Sequence, residues 1–229
     1  MPISRLSYFI FALMLAWGLV GRTASGEISL FPIEDLQPTQ SNVGMREVQF
    51  KAEKIAAMKK KEREAFLLDN PVPVIIGPGD IHYLIDHHHL SRALLEIGKK
   101  NVYTRVVADW SQLSKSEFWK AMKKHKYVYL KNKKGRNLDP EDLPKRVADL
   151  GDDPYRSLAS SVRRKGGFEK VPTPFAEFEW ALFFRERLEL KSSESQTSYE
   201  KTVEKAVELA ELRKAHKLPG FRARCENLF

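Results

Sequence analysis

Apolar positions along the chain recur in two rhythms, and each predicts an element type. From Glu27 to Phe31 the pattern is that of a short strand. Leu36-Gln37-Pro38-Thr39-Gln40 reads as turn-like, because Pro38 holds its predecessor in an extended conformation. From Gly44 to about Leu68, the positions Val48, Ala52, Ile55 and Met58 or Lys59 recur every three or four residues, with charge between them. That spacing predicts one helix ending before Asn70-Pro71. Val72–Ile76 is a β-branched run, Gly77-Pro78-Gly79-Asp80 a turn, and Ile81–Ile85 a returning strand. A helix from about His89 to Ile97 follows, with Gly98 at the left-handed position beyond its end. Val102–Ala108 is the next strand.

The second half is mostly helical in pattern. Ser114 or Ser116 can cap a helix running through Met122. Tyr127–Leu130 reads as a short strand. Asp139-Pro140, Asp153-Pro154 and Thr173-Pro174 each place a capping oxygen before proline, and each predicts a helix start. The third of these places Phe175, Phe178, Leu182 and Arg185 on one face, with Trp180, Phe183 and Phe184 nearby, a wide aromatic surface suited to a core. Ser192–Ser198 is a polar linker, and Tyr199–Lys217 a Glu- and Lys-rich helix with a narrow apolar stripe that packs lightly. The fold class is α+β: a small mixed sheet followed by several helices.

Composition adds a compartment. Arg5 precedes the apolar run Leu6–Val20, and Ala24-Ser25-Gly26 follows, which is the layout of a signal peptide. The run is shorter than the ~20 residues a membrane-spanning helix needs. Residues 1–26 are therefore expected to be cleaved on export to a periplasmic or secreted location. Residues 27–190 form the domain, and residues 191–229 a linker and terminal helix. The formal net charge of +9 becomes +7 without Arg5 and Arg22. Such a surface suits nucleic acid, nucleotides or anionic lipid, and equally a plain solvated face. Cys225 is the lone cysteine, so no internal disulfide framework exists.

The chemistry concentrates at residues 86–92. Asp86, His87, His88 and His89 stand in a row where a strand passes into a helix, with Ser91 and Arg92 just inside it. Imidazoles bind metals and move protons near neutral pH. Consecutive residues diverge by about 100° in a helix, so at most two of the three could share a divalent metal ion, with Asp86 as ligand or orienter. His88 or His89 could activate water, with Asp86 fixing the tautomer. The start of a helix also favours phosphate, to which His87, Ser91 and Arg92 could contribute. The plainer role for Asp86 is the helix N-cap, and for single histidines a backbone hydrogen bond.

The strand–turn–strand unit ending in Asp-x-His-His resembles the ParB/sulfiredoxin-like fold, and within it the ParB-like nuclease group. Asp86, His88 and His89 match a ParB-type Asp-Gly-His-His-Arg motif. His87 replaces its glycine and Leu90 its arginine, with Arg92 two residues on. Leu36–Gln40, Val43-Gly44 and Glu47 are similar to the group's opening motif. Asp153–Leu158 and Phe175–Arg185 are similar to its closing helices. The resemblance implies a phosphate-bearing ligand at the histidine-bearing helix start. It points to hydrolysis of a phosphodiester by Asp86, His88 and His89, with Glu47 as a second carboxylate. Alternatives within that fold are a nucleotide-binding protein or small-molecule kinase, and outside it a non-enzymatic binder of anionic partners.

Overall fold

The computed structural model of the chain describes residues 26–190 and 195–223. The expected signal peptide (apart from Gly26), part of the 192–198 linker and Cys225 lie outside these. Chain order begins with strand β1 (Ile28–Pro32), β2 (Leu36–Pro38) and β3 (Asn42–Val43), then helices α1 (Met45–Ala57) and α2 (Lys60–Asp69). The unit β4 (Val72–Gly77), β5 (Ile81–Leu84), α3 (His88–Glu96) and β6 (Asn101–Asp109) follows. The rest is α4 (Lys115–Lys124), β7 (Gly151–Asp152), α5 (Pro154–Arg164), α6 (Ala176–Arg185) and α7 (Gln196–Ala210). The main sheet is mixed, in the order β1-β6-β4-β5-β2, and β3 pairs with β7 in a separate two-stranded ladder. This is the α+β arrangement expected.

Strand alternation divides the interior in two. Val74 and Leu84 face a core shared with Val48, Ile55 and Leu94 of α1 and α3. Their chain neighbours Ile75 and Tyr83 face the opposite core, with Phe118, Trp119 and Met122 of α4. Period-two alternation puts adjacent residues on opposite faces, so each strand serves both cores. A third core joins Leu158 and Val162 of α5, Trp180 and Phe184 of α6, and Val203 and Ala206 of α7. The narrow stripe of α7 is thus packed, with Tyr199, Val203, Ala206 and Ala210 buried.

Several expectations shift. Leu36–Pro38 is an edge strand, parallel to β5, rather than a turn. Proline has no N–H for a ladder, and an edge tolerates that. The single helix expected over 44–68 breaks at Met58 and Lys59, both extended, and the break returns Leu67 to the core. Tyr127–Leu130 joins no ladder; its link to the sheet side is the Tyr129 N–H donated to the Thr39 carbonyl. Asp139-Pro140 opens a single 3-10 turn, Pro140–Asp142. Thr173-Pro174 precedes α6 without starting it, because Phe175 takes a left-handed conformation (φ 63°) as its N-cap. By contrast, Ser114 caps α4 in a reciprocal box with Glu117, and Asp153 caps α5 through the Tyr155 N–H.

Gly44 sits where α1 and α5 begin side by side. A Cβ there would lie 2.4 Å from the backbone nitrogen of Ser157. Overpacking of this kind costs about 1–3 kcal/mol. Gly44→Ala is therefore expected to lower the urea midpoint by a corresponding amount, and an unchanged midpoint would refute the close approach.

Candidate functional site

The start of α3 lies at the wall of a cavity of about 870 Å³, bounded also by α1, α5 and the segment leading into α6. Strand β5 delivers Asp86 and His87 to this point, and the residues that follow wind into α3. His87 itself is left-handed, with φ 63°. A non-glycine residue in that region carries roughly 1–2 kcal/mol of strain. Glycine would adopt this angle without that strain. Asp86 is not the N-cap of α3: its Oδ1 accepts the His87 N–H at 2.6 Å.

The next two histidines face inward. His88 Nε2 accepts the Thr39 N–H at 3.2 Å, and His89 Nε2 accepts the Gly44 N–H at 3.0 Å. Accepting at Nε2 places the ring proton on Nδ1, so both imidazoles are neutral. Burial, reinforced by the Arg156 charge, lowers the His88 pKa to about 3 and takes His89 well below 6.5. The two rings thereby pin α3 to the end of β2 and to the start of α1. His87 is different: burial lowers its pKa, the Asp86 charge and then a backbone bond at Asn70 oppose that, and its buried Nδ1 has no partner.

Glu47 reaches the same cavity wall but is engaged there. It is 4% exposed and pairs with Arg164 and, at 3.4 Å, with Lys51. Two residues expected at the site are elsewhere. Arg92 bonds Glu96 at 2.9 Å and the Ala148 carbonyl, and Ser91 is fully buried; neither lines the cavity. A divalent metal does not fit this donor set. Among the described residues no three His, Cys, Asp or Glu side chains gather as a metal-holding group, and the Nε2 lone pairs of His88 and His89 are occupied.

The residue that sequence reasoning missed is Arg156, on α5. It is 4% exposed, its Nε and Nη1 have no partner, and its nearest carboxylate oxygen, on Glu177, is 3.9 Å away. Its guanidinium lies 3.5 Å from the Phe178 ring centroid, and Phe178 in turn stacks on Tyr129 at 3.7 Å. A buried arginine is rarely left with unpaired N–H groups. A signal existed: Arg156, Ser160 and Arg163 follow at helical spacing beside the apolar face of α5, and all three line the cavity. Asp86, His87, His88, His89, Glu47 and Arg156 therefore come together from α3, α1 and α5.

A mixed five-stranded sheet carrying a strand-to-helix histidine cluster is the architecture of a ParB-like domain. The family model described as "Putative ParB-like nuclease" matches residues 30–186, and the chain belongs to that family. The crystal structure of protein Atu1540 from Agrobacterium tumefaciens has the same fold, with a TM-score of 0.78 and 40% sequence identity. That alignment covers 86% of this chain and 97% of the other. A search of curated proteins returned no match.

The buried imidazoles make stability sensitive to acid. His88 ordinarily titrates at 6.5 but stays neutral in the fold down to about pH 3. Between those values the unfolded chain binds a proton that the folded chain refuses, so stability falls as pH drops through 6.5. The limiting slope is about 1.4 kcal/mol per pH unit for each such histidine. Urea unfolding from pH 7.5 to 5 is expected to show this loss, and His88→Gln to remove one proton's share of the slope. Identical slopes in the two proteins would contradict it.

Proposed function

We propose that the cavity at the start of α3 binds the phosphate of a nucleic acid and hydrolyses its phosphodiester. The observation that carries this reading is Arg156, a buried guanidinium with two unpartnered nitrogens, Nε and Nη1, in the wall beside His87, His88 and His89. A guanidinium fork matches two oxygens of a phosphate, and in a dry site it stabilises the charge that builds up during displacement. Lys51 and Lys170 in the same wall add positive charge. Family membership supports the same chemistry.

In this reading the residues divide the work. His87, kept neutral by burial, takes the proton from an attacking water. The water oxygen bonds to phosphorus, the bond to the departing oxygen breaks, and that oxygen takes the proton back. Asp86 holds the His87 main chain through its N–H. His88 and His89 act as anchors that fix the floor of the site rather than as proton carriers. Glu47 holds Arg164 and Lys51 in place.

The test is cleavage of plasmid and single-stranded nucleic acid by the purified chain, with Mg²⁺, Mn²⁺, Zn²⁺ or EDTA. Arg156→Lys is expected to reduce turnover by about 10²-fold or more, since lysine cannot fork. His87→Gly should relieve the left-handed strain, leaving the melting temperature equal or higher, while cleavage falls at least as far. Cleavage that survives both substitutions would remove these residues from the reaction, and no cleavage under any condition would reject the nuclease reading.

A further inference from the structure

Beyond the cavity, the end of α4 and the loop after it form the most lopsided charge distribution in the chain. From Lys115 to Arg136 there are eight lysines and one arginine against a single acid, Glu117. Lys123 and Lys124 in the last turn complement the helix dipole, which accounts for those two. It does not account for Lys126, Lys131, Lys134 and Arg136, which lie past the helix. Lys115 pairs with Glu141 and Lys133 reaches the Asp152 carbonyl at 3.5 Å, but those four are exposed and make no ion pair among the described residues.

Aromatic rings are interleaved with these charges. His125 and Tyr127 stack with centroids 5.6 Å apart and planes 19° apart. Trp110 lies against the same Tyr127 at 6.1 Å and 29°. His125 is exposed, and Trp110 and Tyr127 are partly so. The backbone is bent to make this arrangement. Lys126 is left-handed (φ 57°), with the Tyr127 N–H returning to the Met122 carbonyl, so a lysine holds the cap position that glycine usually takes. The reversal brings the rings on either side of Lys126 together. Beyond it, Asn132 Oδ1 accepts the N–H groups of both Lys134 and Arg136 and so orders the basic turn. Lys126 and Tyr127 also line the cavity, so the basic and aromatic surface runs into the His87–Arg156 site.

We propose that this ledge binds single-stranded nucleic acid and leads an unpaired strand into the cavity. Near-parallel rings among lysines supply stacking for bases and charge for the backbone, the two contacts single-strand binders combine. In a duplex the bases are already stacked on one another and cannot reach such rings. The inference rests on the cavity being a phosphodiester site, and it names the substrate class of that site.

Binding measured in EDTA separates the two ideas. A fluorescein-labelled single strand of about 20 nucleotides and its duplex are titrated with the full chain by anisotropy. The single strand is expected to bind at least ten-fold tighter than the duplex. Tyr127→Leu with His125→Ala should weaken single-strand binding about ten-fold and duplex binding little. Replacing Lys123, Lys124 and Lys126 with Gln should flatten the salt slope by about two. Lys126→Gly should melt no lower than the parent, because glycine suits its backbone angle, yet still lose that lysine's share of the slope. Equal affinity for both forms, no effect of removing the rings, or binding to anionic lipid vesicles alone would each overturn the proposal. Ring-dependent binding of single strands without cleavage leaves the ledge standing and rejects the nuclease reading.

Discussion

His88 and His89 each turn Nε2 toward a main-chain amide, Thr39 at 3.2 Å and Gly44 at 3.0 Å, and the site depends on those two bonds. The amides belong to the short edge of the sheet and to the first turn of α1. Without the imidazoles, two buried N–H groups would lose their acceptors, at about 1–3 kcal/mol each. The second of these bonds falls where α1 lies against α5. Gly44 touches Ser157 there, and the Asp153 N–H meets the Val43 carbonyl at 2.8 Å. Arg156 reaches the cavity because its helix is held by that contact. His89 is therefore connected, through Gly44 and Ser157, to the helix that carries Arg156.

Legibility in the sequence followed locality. The β4–turn–β5–α3–β6 unit was readable from β-branched runs, Gly77-Pro78-Gly79 and Gly98, because each of these acts within a few residues. The break at Met58-Lys59 was not readable: no proline or glycine marks it, and its cause is a tertiary one, the return of Leu67 to the core. Strand β2 was hidden for a similar reason. Three residues ending in proline carry no strand pattern, and only pairing with β5 defines them. Phe175 escaped too, since a left-handed phenylalanine is set by packing against Tyr129 at 5.1 Å, not by its neighbours in sequence.

The histidine cluster was visible as a cluster, but its division of labour was not. Three adjacent imidazoles look equivalent in sequence. In the fold, left-handed His87 stays at the cavity with a free nitrogen while the next two turn to the backbone. Arg92 looked suited to phosphate because it was near in sequence. Arg156, which sequence distance hid, lines the cavity instead. Proximity along the chain pointed to an arginine that does not line the cavity.

The buried Arg156, with Nε and Nη1 unpaired, would also tie the proposed recognition to folding. Burying it without matching oxygens works against the folded state, opposed in part by Phe178 and the more distant Glu177. In the proposed site, an anion meeting Nε and Nη1 would reverse that opposition and join α5 to the histidine-bearing end of α3 at the same moment. An anion that binds only the folded chain raises its resistance to unfolding by an amount set by its affinity and its concentration. On the proposed reading, the melting temperature of this chain is a ligand detector of its own, since a compound that fits the cavity raises it before any reaction has been seen.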